Sequence, residues 1–117
     1  MWAIKTTDMF DGWYDALNNT DRASVLAALM ALREKGPGLP RRYADTLQGS
    51  RYRNMKELRI QSRGLPLRAF FAFDPWRTGV VLCAGNKAGN EKCFYDEMIP
   101  IADREFTHWL KRLKKKE

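Results

Sequence analysis

Three apolar segments separated by two turn signals, between Met55 and Lys87, constrain this chain more than any other stretch. In the first, Leu58 and Ile60 alternate with Glu57, Arg59 and Gln61. In the second, Leu67, Ala69, Phe71 and Phe73 alternate with Arg68, Phe70 and Ala72. A period of two is the mark of a strand with two different faces. The third, Val80 to Ala84, is almost wholly apolar, as expected of a central strand covered on both sides. The turns, Arg63 to Pro66 and Asp74 to Gly79, carry the Gly and Pro that end one extended run and permit the next. The pattern predicts a three-strand meander, with Arg68 beside Arg59 on its outer face when the register is favourable.

Charge is concentrated on the same part of the chain. Residues 33–68 hold ten Arg or Lys against three acids, a surplus equal to the formal net charge of +7 for all 117 residues. The two flanks cancel. A localised basic surface attracts polyanions, and its binding falls steeply with salt.

A chain of 117 residues fits one domain, residues 1–117, with one real core. Hydrophobic residues at 44% and aromatics at 12% argue against disorder. No segment approaches the roughly 20 apolar residues that cross a bilayer. The N-terminus MWAIKTTDMF lacks the basic and apolar regions of a signal peptide, so a cytoplasmic protein without membrane contact is expected. Cys83 and Cys93 form no CxxC or Cys/His cluster, and there is one histidine, His108. No metal or other cofactor is expected, and the cysteines read as a buried hydrophobe and a loop residue.

The flanks supply helices. Trp2 to Thr6 is short, apolar and β-branched at its end, a strand that could join the later sheet. Phe10, Trp13, Tyr14 and Leu17 then fall on one helical face, with Asp8 as a cap and Asn18 and Asn19 at the end. Thr20 or Asp21 can cap a second helix, which runs to a hard stop at Gly36-Pro37-Gly38 and packs back on the first as a hairpin. Residues 36–54 show neither period and read as a long ordered loop. Its Arg41, Arg42, Arg51 and Arg53, accompanied by Tyr43 and Tyr52, are candidates for RNA phosphate contact and base stacking, and Arg63 in the first meander turn joins them. A loop from Gly85 carries Lys87, Lys92 and Tyr95, and a final helix is expected from about Met98, with Pro100 in its first turn and the basic tail KRLKKKE at its end.

This order of strand, helix hairpin, meander and terminal helix resembles the RelE/ParE superfamily of bacterial toxins. The local motifs are more specific. Glu57-Leu58-Arg59, Arg68-Ala69-Phe70-Phe71, the Gly85 to Lys92 loop, and Pro100 with Ala102-Asp103 resemble the HigB-type branch, the phage-derived Gp49-like toxins. The resemblance covers essentially the whole chain. It implies an α+β, RelE-like fold: an N-terminal strand and helix hairpin packed on a small antiparallel sheet, with a C-terminal helix.

The resemblance further implies the toxin of a type II toxin–antitoxin pair. Such toxins of the RelE and HigB branches cleave messenger RNA on the ribosome without a metal ion. They are silenced by a cognate antitoxin, in HigB systems usually a HigA-like helix-turn-helix protein, and the toxin–antitoxin complex sits on operator DNA. Carried across the motifs, the strand arginines correspond to Arg59 and Arg68, the basic loop residue to Lys87 or Lys92, and the closing aromatic to Tyr95. Where the best-studied enzyme of the superfamily has two lysines before its Leu-Arg pair, this chain has Met55 and Glu57 around Lys56. Glu57 or Lys56 is thus left to serve as general base.

Metal-free RNA cleavage must deprotonate the ribose 2′-hydroxyl, stabilise the charged phosphate and protonate the departing 5′-oxygen. Arg59 and Arg68 suit the second task as permanently charged forks. Lys87 and Lys92 suit proton transfer if neighbouring cations depress their pKa. Tyr95 could stack on a base or orient the 2′-hydroxyl. Two other functions fit the same fold: a ParE-like inhibitor of DNA gyrase, and a non-catalytic RNA-binding phage regulatory protein.

Overall fold

A computed structural model describes residues 1–116; Glu117, the last residue of the basic tail, lies outside the described residues. The elements run β1 (Ile4–Thr6), α1 (Asp8–Asp15), α2 (Asn19–Lys35), β2 (Ala44–Thr46), β3 (Lys56–Ser62), β4 (Leu65–Phe73), β5 (Gly79–Asn86) and α3 (Glu91–Lys116), with a 3₁₀ turn at Gly36–Gly38. One five-stranded sheet has the order β1-β5-β4-β3-β2. Strand β1 pairs parallel to β5 and the other pairs are antiparallel, so the expected meander β3-β4-β5 forms the centre of a mixed sheet.

Strand alternation divides the core between the two faces of the sheet. Leu58, Ile60, Leu67, Ala69, Phe71 and Val81 point to one side and pack with Phe10, Val25 and Leu32 of the helix hairpin. Met55, Phe70, Ala72, Val80, Leu82 and Cys83 point to the other and meet Ala102 and Phe106 of α3. Burying a side chain such as Phe106, 2% exposed, contributes about 2 kcal/mol. A register shift opposite Phe70 and Phe71 skips Leu82, which lets the consecutive residues Leu82 and Cys83 join the same cluster. Both cysteines are free; Cys83 is buried, and desolvation pushes its thiol up to about 12.

The helix ends differ in detail from the expected ones. Thr7 caps α1: its extended backbone lets its hydroxyl accept from the Phe10 amide at 3.2 Å while donating to the Leu82 carbonyl at 2.6 Å. Asp8 sits inside the first turn. Asn18 begins α2 rather than ending α1, accepting from the Asp21 amide at 2.8 Å. Gly36 closes α2 at φ +56°, and the Trp2 ring lies so close that a β-carbon there would meet it at 2.4 Å.

Two larger corrections bear on function. Residues 36–54 are not wholly loop, because Ala44–Thr46 pairs with Leu58, Glu57 and Lys56 as the edge strand β2. The last helix starts at Glu91, not near Met98, so Pro100 lies in its interior. Packing outweighs the usual position of proline: Asn90 accepts from the Cys93 amide at 3.1 Å, and the Phe94 ring stacks against Phe70 with centroids 5.9 Å apart. Gly85 makes this possible, since a β-carbon there would sit 2.9 Å from Phe94. Lys92, Cys93 and Tyr95 are therefore helical residues. Among the described residues, no helix is long and apolar enough to cross a membrane.

Candidate active site

The register of β3 on β4 makes Arg59 and Arg68 direct partners, and that of β2 on β3 sets Asp45 beside Glu57. Alternation turns Glu57, Arg59 and Arg68 to the face covered by α3, where the first turns of the helix deliver Tyr95. Arg68 was expected on an open outer face; it is 9% exposed because α3 lies over it. Lys56, one residue from Glu57, turns to the opposite side of the sheet.

Glu57 is the hub of this cluster and is 6% exposed. One carboxylate oxygen accepts from the Tyr95 hydroxyl at 2.5 Å and lies 3.6 Å from Arg68 Nε. The other accepts from an Arg59 terminal nitrogen at 3.3 Å. Arg68 donates from its Nη1 to the Leu67 carbonyl at 2.9 Å, but its buried Nε has no hydrogen-bond acceptor. Burial, and then the bond to Glu57, push the Tyr95 phenol up to about 12. Tyr95 is therefore a lasting donor.

Above the cluster lies an open groove of about 310 Å³, walled by Asp45, Leu47, Glu57, Arg59, Tyr95 and Ile99, with Glu91 at its margin. The Arg59 side chain, 38% exposed, reaches into it and also approaches Asp45 at 3.7 Å. Asp45 in turn accepts from Arg41 at 3.3 Å. Its pKa is lowered, first by the Thr46 amide that donates to it and then by Arg41. The groove thus mixes carboxylates with guanidiniums. Among the described residues, no group of three or more His, Cys, Asp or Glu is arranged to hold a metal ion.

The remaining expected site residues fall into four places. Lys87, at the end of β5, pairs with Glu91 at 3.5 Å and so stands near the groove's margin. Lys92 points into solvent, its side chain 85% exposed, and donates to Asp96 at 2.8 Å. Asp96 raises the Lys92 pKa, which overturns the expected depression: its near neighbour is a carboxylate and not another cation. Arg63 is also engaged elsewhere. It makes two bonds, at 3.0 and 2.8 Å, to Asp21, which Ser62 approaches at 2.7 Å. The Arg63 hydrogen bonds hold the Asp21 carboxyl down to about 2. Arg63 thereby fastens the tight turn at Arg63-Gly64, where both residues have positive φ, to the start of α2. Arg42 and Arg51 lie over the Tyr43 and Tyr52 rings, at 5.0 and 5.7 Å, and Arg53 is exposed.

Asp45 was missed as a groove residue because no local pattern marks β2; only its pairing with β3 brings that carboxylate to Glu57. Glu57 stood only as one of two substitutes for a base. Its neighbours on the strand gave no sign that Tyr95 would land on it.

A mixed sheet between a helix hairpin and one long helix, with paired arginines under that helix, defines a RelE-type fold. Superposed on the E. coli toxin RelE, a double arginine-to-alanine mutant in the free state, it gives a TM-score of 0.58 at 14% identity, over 77% of this chain and 87% of the other. Residues 12–107 match the family of phage-derived Gp49-like proteins. The chain is 46% identical over 108 residues to the candidate toxin HigB3 of Mycobacterium tuberculosis, spanning 92% of this chain and 93% of that one. It is 43% identical over 104 residues to the candidate toxin HigB2 of the same organism, spanning 88% of this chain and 52% of HigB2. This protein therefore belongs to the Gp49-like family, the HigB branch of RelE-fold toxins.

Proposed function

We propose that this protein is the toxin of a type II toxin–antitoxin pair and an endoribonuclease that cleaves messenger RNA on the ribosome. The observation that carries this reading is the Glu57 carboxylate, held between two guanidiniums and a phenol at the floor of an open groove. Those groups match the demands of metal-free cleavage. Glu57 takes the proton of the 2′-hydroxyl as its oxygen attacks the adjacent phosphorus. Arg59, the more exposed guanidinium, receives the phosphate, and Arg68 adds a second fixed positive charge from beneath. Tyr95, protonated throughout, holds the Glu57 carboxylate in position through the one proton it donates. The 5′-oxygen leaves on the far side of the phosphorus, where Lys87, beside Glu91, is the candidate proton donor. The products are a 2′,3′-cyclic phosphate and a 5′-hydroxyl.

The same reading supplies the partners: an antitoxin of helix-turn-helix type, the ribosome with its message, and operator DNA for the toxin–antitoxin complex. Primer extension on messenger RNA after induction tests it. Reproducible breaks within coding regions are expected, and none with Arg59→Ala. Intact message accompanied by a DNA-damage response would instead identify a gyrase inhibitor.

A further inference from the structure

A second recess, this one predominantly basic and of about 320 Å³, lies farther along α3, outside the groove, between that helix and the loop before β3. Arg51, Asp103, Arg104, Thr107, His108 and Lys111 wall it. Residues 104, 108 and 111 fall at i, i+4 and i+7 and so share one helical stripe. The loop opposite is fixed. Asp103 accepts from the Ser50 hydroxyl at 2.5 Å and from the Arg51 amide at 3.0 Å. The Tyr52 and Thr107 hydroxyls bond to each other, and the Tyr52 ring stands edge-on to Phe106 with centroids 4.9 Å apart. These contacts hold Arg51 facing the stripe, and its guanidinium, 5.7 Å from the centroid of the Tyr52 ring, keeps its hydrogen-bonding edges free of any acid.

The charges of the two sites differ in one respect. In the groove Arg59, Arg68 and neighbouring Lys87 each have a carboxylate partner. Among the described residues, the side chains of Arg51, Arg104 and Lys111 have none within 4.0 Å, and all three are exposed. Asp103 subtracts one charge from the recess, but both its oxygens are turned to the loop. A phosphate entering here displaces no acid. At about 1.5 Å rise per residue, Arg104 lies about 14 Å and Lys111 about 24 Å along the helix from Tyr95.

We propose that this recess is a second phosphate-binding site, which holds the backbone of the bound RNA a few nucleotides from the reacting phosphate. The inference rests on the nuclease reading above and adds to it Arg104 and Lys111 as strand-holding residues. The test compares the full-length wild type with Arg104→Gln/Lys111→Gln, using anisotropy of labelled 2′-O-methyl RNAs of about twelve and about three nucleotides over a salt series. For the longer RNA the slope of log affinity against log salt should fall by about 1.4, or 0.7 for each lost phosphate contact, which is about 25-fold over a tenfold range of salt. The short RNA should bind equally to both proteins. The swap Arg104→Lys/Lys111→Arg should keep the wild-type slope, which separates charge from folding. An unchanged slope in the glutamine variant, with wild type binding normally, overturns this inference alone. So does loss of antitoxin binding with the RNA slope intact, which would make the recess a protein-docking surface. Failure of the wild type to bind either RNA overturns this inference too, whereas the nuclease reading, which acts on the ribosome, falls only if primer extension finds no breaks in the message.

Discussion

Replacing Glu57 by leucine probes how the buried charges of the site depend on one another. The substitution strands the Arg68 cation beneath α3, at 9% exposure, and leaves the Tyr95 hydroxyl without its acceptor. Breaking one side of a buried ion pair costs about 3–5 kcal/mol. Arg68 keeps its bond to the Leu67 carbonyl and approaches Glu57 only to 3.6 Å, which places this case at the lower end, about 3 kcal/mol. The partly exposed Arg59 adds less than about 1 kcal/mol. Arg68→Met alone should cost about 1–2 kcal/mol, since Glu57 retains Tyr95 and Arg59. Glu57→Leu with Arg68→Met removes both charges and should return to within about 1 kcal/mol of wild type, a coupling of about 3–5 kcal/mol. Urea unfolding measures this from midpoint shifts at a common slope. A cost below about 1 kcal/mol for Glu57→Leu, or no recovery in the double variant, would refute the claim that these two charges hold each other in place.

Three further outcomes follow from the titrating groups. Tyr95 is raised to about 12 from an ordinary 10, so the unfolded chain loses its proton first; stability should fall as pH rises from about 10 to 12, and Tyr95→Phe should flatten that limb in alkaline unfolding. Asp21 is lowered to about 2 from 3.8, so its contribution is present above pH 3.8 and lost as pH falls through about 2. Asp21→Asn should flatten the acid limb, while Arg63→Ala should lower the urea midpoint and leave RNA affinity unchanged. Lys92, paired with Asp96 and held protonated, should be dispensable: growth inhibition by Lys92→Gln equal to that of wild type is expected, and its loss would return Lys92 to the site.

The meander was legible because alternation at Leu58, Ile60, Leu67, Ala69 and Phe71 is a local property that survives folding. The strand arginines met across β3 and β4 for the same reason. What local pattern could not show was the long-range covering. Three residues at Ala44–Thr46 are too few to display a period, yet they bring Asp45 to the groove. Likewise, proline statistics place Pro100 in the first turn of a helix, whereas Phe94 packing over Gly85 extends the helix upstream by about two turns and carries Tyr95 onto Glu57. A charge surplus also says nothing about pairing. Arg63 counted toward the basic surface and Lys92 toward proton transfer, and both proved to be paired with carboxylates, while Arg104 went unmarked and Lys111 stood only as part of the basic tail.

Pro100 gives α3 an unequal mechanical character. With no amide hydrogen at this position, one rung of the helical ladder is missing, and the ring presses on the preceding turn. Residues after the break are moored by Ala102, Phe106 and the Asp103 contacts with the loop. Residues before it, which carry Tyr95, are held chiefly by Phe94 and Met98 against the strand end at Gly85. The two halves need not open together. Amide exchange in the Tyr95 turn is therefore expected to run faster than unfolding of the whole molecule, and substitutions in that turn are expected to loosen or tighten it while leaving the body of the protein unchanged.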